Sequence, residues 1–347
     1  MNPDFKKRLP RIFFFLAAIL LMVKVIRNKD AAIITNEISG QTMGTIPYSI
    51  KYKTDGAVDF KDNVDSLLLA FNQSLSTYIP DSEISRFNAY DTLVYENSMF
   101  LEVLQASKQV YEKTEAAFDP TVGPLINAWG FGPDQGTGVL SELTVDSLLR
   151  FVSFSSINFN TSFAAKPAGV YLDFSAIAKG YAIDLVAGFL ESRGVTEYMV
   201  EIGGEVAVKG TNSKKETWAI GIEDPLVARD EQKLLAISRV PDRALATSGN
   251  YRNYFEQDGK LYAHIIDPRT GYTAADSILS ATVFAPTCMI ADAYATAFMV
   301  MGVQDALTLA ESDPTLDALL IYRSGDSVAI TMTDPILKQI TIMADYK

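Results

Sequence analysis

Residues 172–184 read Leu-Asp-Phe-Ser-Ala-Ile-Ala-Lys-Gly-Tyr-Ala-Ile-Asp. The approach from Gly169 to Phe174 has strand character and ends at Asp173. Ser175 is a good N-cap type, and Ile177, Ala178, Tyr181, Ala182, Leu185, Val186 and Phe189 follow at helical spacing, which predicts a helix over 175–193. The bare N–H groups at such a helix start suit an anion, and the small residues around them let a ligand approach the backbone closely. By itself the run fits either an anion-binding junction or an ordinary strand–helix turn.

Upstream, residues 38–53 alternate as a strand with Gly44 and Pro47 inside it. Val64, Leu67, Leu68, Phe71 and Leu75 share one face of a helix over 61–77, and a loop follows through Asn88. A second helix spans about 98–114. Residues 118–138 carry loop composition, and a further helix covers roughly 144–152. Downstream, strands are expected at 197–209, 217–223, 243–248, 261–267 and 277–285. A helix over 288–301, a short helix and terminal strands near 317–323, 327–332 and 338–344 complete the chain. Helices and strands interleave without a regular βαβ rhythm, which predicts one large α+β domain of mixed sheets over residues 31–347.

The first 30 residues are of another kind. Lys6, Lys7, Arg8 and Arg11 precede an apolar segment from Ile12 to Val23, the layout of an export signal or a retained anchor with its basic end inside. The apolar stretch is short beside the roughly 20 residues of a full span. The expected location is the periplasmic side of the inner membrane, or the periplasm itself.

The chain has 347 residues, 48% hydrophobic, and a formal net charge of −12. It lacks the basic surface a nucleic-acid partner requires. One cysteine and one histidine exclude an intramolecular disulfide and a Cys/His zinc site. Cys288 lies in an apolar run, as a buried structural cysteine would. There is no phosphate-binding P-loop, no dinucleotide glycine fingerprint and no nucleophile elbow.

Three further stretches carry chemistry. Asp292 and Thr296 in Ala291-Asp-Ala-Tyr-Ala-Thr296 are one helical turn apart, so a carboxylate and a hydroxyl share a face. Their neighbours are apolar on nearly every side, and a carboxylate there must be paired or coordinate something; hard oxygen donors suit Mg²⁺. In His264-Ile-Ile-Asp-Pro-Arg-Thr-Gly271, His264 fits either a proton-transfer group or a hydrogen-bonded core histidine. Ala117-Phe-Asp-Pro120 combines an aromatic with a carboxylate in a turn, and Gly203-Gly204 interrupts a strand, as a bulge or a close ligand approach would.

The ordered set resembles the FAD:protein FMN transferase family, the ApbE-type flavin transferases. The resemblance runs through Gln41-Thr-Met-Gly-Thr45, Ser76-Thr-Tyr78, Ser82–Asn88, Ala117–Pro120, Asp173–Gly180, Gly203-Gly204, Ala246–Gly249, His264–Gly271 and Ala291–Thr296. It implies a central flavin cleft in which FAD is contacted by Met43, Tyr78, Ala117, Phe118, Asp119, Asp173, Lys179 and the Ile266 backbone. It implies Mg²⁺ held by the Ala176 carbonyl, Asp292 and Thr296. The implied reaction is attack of a threonine or serine hydroxyl of a target protein on the FMN phosphorus of FAD, with AMP leaving. The expected partners are FAD and exported or membrane redox-complex subunits. His264 is the candidate proton acceptor, with Asp267 orienting it. Two competing readings keep the cleft: an FAD pyrophosphatase giving FMN and AMP, and an exported flavin-binding protein without turnover. The chain departs from the family in lacking an N-terminal cysteine for lipid attachment, and in carrying Ala295 where some members have a second carboxylate.

Overall fold

The computed structural model describes residues 33–132, 138–227, 233–250, 254–257, 260–274, 278–325 and 327–346. The N-terminal basic and apolar segment lies outside them.

The body is an eight-stranded antiparallel sheet. Its strands are β1 (Ile33–Thr42), β2 (Ile46–Asp55), β3 (Tyr198–Ile202), β4 (Glu205–Lys209), β5 (Ala244–Gly249), β6 (Ile278–Ala285), β7 (Asp317–Ser324) and β8 (Ser327–Met332). They lie side by side in chain order, so every neighbour pairing is antiparallel and no crossover within the sheet is needed. The helices of the described residues are α1 (Lys61–Leu75), α2 (Glu83–Tyr90), α3 (Met99–Lys113), α4 (Gly123–Ala128), α5 (Glu142–Leu149), α6 (Ala178–Ser192), α7 (Cys288–Met301) and α8 (Val303–Ser312).

Strand periodicity sorts the core into two layers. Ala246, Val283, Ala318 and Leu320 point to the helices, where α1, α3, α6 and α7 supply Leu68, Phe100, Val186 and Phe298. The alternate residues Leu245, Phe284, Leu319 and Ile321 point to the opposite face and pack on Ile222, Ala236 and Ile340. Those three belong to a small sheet of strands 220–223, 234–238 and 340–342. A satellite cluster of Leu125, Trp129, Val145, Tyr262 and Ile266 sits beside the main body. Trp129 Nε1 donates to the Gly271 carbonyl at 3.0 Å and ties that cluster to the turn after His264.

The single α+β domain agrees with the sequence expectation; several boundaries differ. The alternation over 38–53 is two strands, because Met43 and Gly44 take left-handed φ values of 48° and 83° and reverse the chain. Residues 197–209 divide in the same way at Gly203-Gly204, with φ of 62° and 97°, so these glycines form a hairpin turn rather than a bulge. The expected loop through Asn88 contains α2, whose cap is the Ser82 side chain accepting from Ser85 N–H at 3.2 Å. The expected loop over 118–138 contains α4. Among the described residues no strand forms over 169–174; Tyr171 makes an isolated bridge to Val122.

Candidate flavin and metal site

The junction around Asp173 is built differently from its sequence expectation. α6 begins at Ala178, and no side chain caps it. Ser175 instead donates its hydroxyl to Asp173 Oδ1, which also accepts the Ser175 N–H at 2.7 Å. The result is a tight Asx turn that precedes the helix and fixes the backbone at Ala176. Asp173 N–H is held by the Pro120 carbonyl at 2.7 Å, which joins this turn to the Ala117–Pro120 segment.

Helices α6 and α7 cross at very short range. A Cβ added to Gly180 would lie 2.2 Å from the Cys288 carbonyl oxygen, so only glycine fits. The two helices exchange carboxylates at this crossing. Asp292 on α7 accepts the Gly180 N–H at 3.0 Å. Asp184 on α6 accepts the N–H groups of Cys288 and Met289 at 2.7 and 2.8 Å, filling the N-terminus of α7. Burial pushes the Asp184 carboxyl up to about 7, against the pull of those two amides.

A cavity of about 220 Å³ opens between the ends of these helices, strands β4 and β5, and the Ala117–Pro120 and His264–Pro268 segments. Of the residues expected to contact flavin, Ala117, Phe118, Asp119, Asp173, Lys179 and Ile266 line it. The three expected metal donors, Ala176, Asp292 and Thr296, line it as well, and so does His264. Met43, Tyr78 and Asp267 lie off its wall. Met43 sits in the β1–β2 turn, half-buried against the core. Tyr78 is 71% exposed. Asp267 is gripped by Arg269 through contacts of 2.9 and 3.0 Å.

Asp119 spends its oxygens on its own surroundings. Oδ1 accepts from the Thr121 N–H and hydroxyl at 2.7 and 2.6 Å, and Oδ2 from Phe154 N–H at 3.1 Å. Burial raises its pKa, and these bonds oppose the rise. The cavity wall here is therefore a rigid, pre-satisfied turn. His264 is half-buried, with its ring edge-on to Phe131 at 6.4 Å. Thr296 shares a hydroxyl contact of 3.1 Å with Ser248.

Sequence reasoning missed Glu205. It is 3% exposed, pairs with Lys179 Nζ at 2.9 Å through Oε1, and reaches hydrogen-bonding range of Asp292. Burial, and then the Asp292 charge, push its carboxyl upward; burial likewise raises Asp292. The one signal was a carboxylate in Gly-Gly-Glu-Val-Ala-Val, a strand otherwise apolar. Cys288 is fully buried, burial pushes its thiol well above the usual range, and it is a packing residue as expected.

The cavity lining offers oxygen donors: the Asp292 and Glu205 carboxylates, the Thr296 and Ser248 hydroxyls and the backbone of Ala176. Among the described residues no three His, Cys, Asp or Glu side chains gather as a metal cluster. The set suits a hard cation that keeps some of its water. Among the described residues the Glu205 Oε2 atom is buried without a hydrogen-bond partner, which fits a cation site there.

The family model for the ApbE family matches residues 43–320. The chain belongs to the ApbE family. It is 42% identical over 298 residues to an FAD:protein FMN transferase of Vibrio cholerae, covering 83% of this chain and 88% of that protein. It is 37% identical over 330 residues to the Haemophilus influenzae FAD:protein FMN transferase, covering 90% and 93%. Among solved structures, the flavin transferase ApbE from Vibrio cholerae superposes with a TM-score of 0.79 at 36% identity, covering 88% of this chain and all (100%) of that one. The apo Pseudomonas stutzeri flavinyl transferase ApbE gives 0.79 at 34% identity, covering 88% and 97%. Two relatives of this family thus share its mixed α+β architecture along nearly their whole length.

Proposed function

We propose that the protein transfers the FMN moiety of FAD to a threonine or serine hydroxyl of a target flavoprotein, dependent on Mg²⁺ and releasing AMP. The observation that carries the reading is that Ala176, His264, Asp292 and Thr296 line one cavity, from segments far apart in sequence. The names of the curated relatives support the transfer of FMN from FAD to a protein.

Phosphoryl transfer demands positioning and charge neutralisation more than covalent chemistry. The apolar wall of Phe118, Val122, Ile126 and Ile266 offers a surface for the flavin ring. Lys179, on the first turn of α6 and on the cavity wall, would face the pyrophosphate. Asp292 and Thr296, one turn apart on α7, and the Ala176 carbonyl would hold the cation. When bound there, Mg²⁺ would supply neutralisation of phosphate charge. His264 accepts the proton of the attacking hydroxyl. The new oxygen–phosphorus bond forms on the FMN side, the pyrophosphate bond breaks, and its electrons leave with AMP. Asp267 fixes the turn after His264 rather than entering the cavity. Met43 and Tyr78 belong to neighbouring turns that would close over the outer part of FAD. The N-terminal segment 1–30 would export the domain or anchor it at the periplasmic face of the inner membrane, where redox-complex subunits are the acceptors.

The test is stoichiometric. With FAD, Mg²⁺ and an acceptor flavoprotein, AMP should appear without matching free FMN. Equal amounts of free FMN and AMP would instead assign the site to FAD hydrolysis.

A further inference from the structure

Four charged side chains, Asp173, Lys179, Glu205 and Asp292, line the cavity, and one of them keeps an oxygen atom without a hydrogen-bond partner among the described residues. Asp173 receives the Ser175 amide, Asp292 receives the Gly180 amide, and Lys179 is paired with Glu205 Oε1 at 2.9 Å. Glu205 Oε2 is buried and takes no hydrogen bond among the described residues. The Glu205 carboxylate is a close neighbour of the Asp292 carboxylate, yet neither group can donate while both are ionised. The buried carboxylates Glu205 and Asp292 and the partly exposed Lys179 together carry, when ionised, two negative charges and one positive. A like-charged pair of carboxylates in a dry setting must share a proton or a cation.

The backbone leaves Glu205 little freedom to escape. It is the first residue of β4, directly after the Gly203-Gly204 turn, and Glu205 pairs with Ile202 across the hairpin. A Cβ at Gly203 would lie 2.8 Å from Ile46 and 3.4 Å from the Lys179 side chain, so the turn is pressed against the lysine it serves. The carboxylate is therefore held between Lys179 and Asp292 by main-chain geometry.

We infer that Glu205 is a further carboxylate of the cation site, with Oε1 holding Lys179 and Oε2 facing the divalent ion that Asp292, Thr296 and the Ala176 carbonyl would bind. The inference rests on the metal-binding part of the proposed function. It assigns Glu205 two tasks, keeping the Lys179 ammonium at a fixed distance from the cation and adding a second negative charge to hold that cation. The two positive groups that meet the pyrophosphate are then spaced by one side chain.

Mn²⁺ titration of the purified full chain, followed by electron paramagnetic resonance, reads this directly and without turnover. Glu205→Gln should weaken Mn²⁺ binding by about 10- to 100-fold, the range seen when a ligand's charge or support is removed. Lys179→Met, which leaves Glu205 in place and removes a competing cation, should bind Mn²⁺ at least as tightly as the wild type. Glu205→Asp keeps the charge but withdraws the oxygens by one methylene, and should also weaken binding; it serves if Glu205→Gln fails to fold by circular dichroism. Wild-type affinity in both Glu205 variants, with Asp292→Asn impaired, overturns the role of Glu205 and leaves the metal site standing. Weakened binding in Lys179→Met overturns it too, because Glu205 would then act only through the lysine. A wild-type chain that binds no Mn²⁺ overturns the inference together with the metal reading.

Discussion

Gly180→Ala is the most exacting perturbation of this architecture. The new methyl would sit 2.2 Å from the Cys288 carbonyl oxygen and 2.8 Å from the Met289 nitrogen. Both are backbone atoms, so no rotamer change relieves the overlap. Ordinary contact begins near about 3.5 Å, so α6 and α7 must part by roughly 1 Å. That displacement acts on three hydrogen bonds at once: Asp292 to Gly180 at 3.0 Å, and Asp184 to Cys288 and Met289 at 2.7 and 2.8 Å. Overpacking alone costs about 1–3 kcal/mol. At about 2–4 °C per kcal/mol for a domain of this size class, Tm should fall by several degrees, up to about 10 °C. Asp292 moves with α7 while Ala176 stays with the turn before α6, so the proposed metal donors separate. A misplacement of about 1 Å can cost on the order of 100-fold in turnover. Thermal unfolding and the rate of FMN transfer would be measured on the same preparation. Wild-type values for both would refute the close helix crossing as the device that sets the site.

Other expectations follow from single groups. Asp184 ionises near about 4 in the unfolded chain, but burial holds it up to about 7 in the fold. The folded state therefore keeps a proton that the unfolded state has lost, and this contribution to stability falls as pH rises between those values. Asp184→Asn should flatten that part of the stability–pH curve, and urea unfolding across the window would reveal an unchanged slope if the assignment is wrong. His264→Ala should lower transfer by about 100- to 10,000-fold while FAD binding, followed by flavin fluorescence, persists; retained turnover would remove His264 from proton transfer. Cys288 is fully buried with its thiol pushed upward, so a maleimide should label it only after denaturation. Rapid labelling of the native protein would contradict the packing of α7.

The sequence carried much of this fold wherever one element buries one regular face. The helix over 288–301 was legible because apolar residues surround it, and Asp292 and Thr296 stood out against that background at one-turn spacing. The two hairpins were read as single strands, because alternation continues straight through Met43-Gly44 and Gly203-Gly204 and only the positive φ values reverse the chain. Ser175 looked like a helix cap, but its hydroxyl was claimed by Asp173, two residues away. Glu205 was invisible as a site residue for a different reason. Its partner Lys179 lies on α6, its neighbour Asp292 on α7, and no local pattern announces that a hairpin turn will deliver a strand residue between two helices. The ordered motifs supplied what spacing could not, the identity of the ligand class, while the placement of His264 on the cavity wall depended on long-range packing through Trp129 and Gly271.

The most direct measurement of the central claim is the intact mass of an acceptor flavoprotein after incubation with this protein, FAD and Mg²⁺. The account predicts an acceptor heavier by one FMN less one water, fluorescent after denaturation, and unmodified when its acceptor threonine or serine is replaced by alanine or when Asp292→Asn is used. An acceptor of unchanged mass beside accumulating free FMN would contradict it.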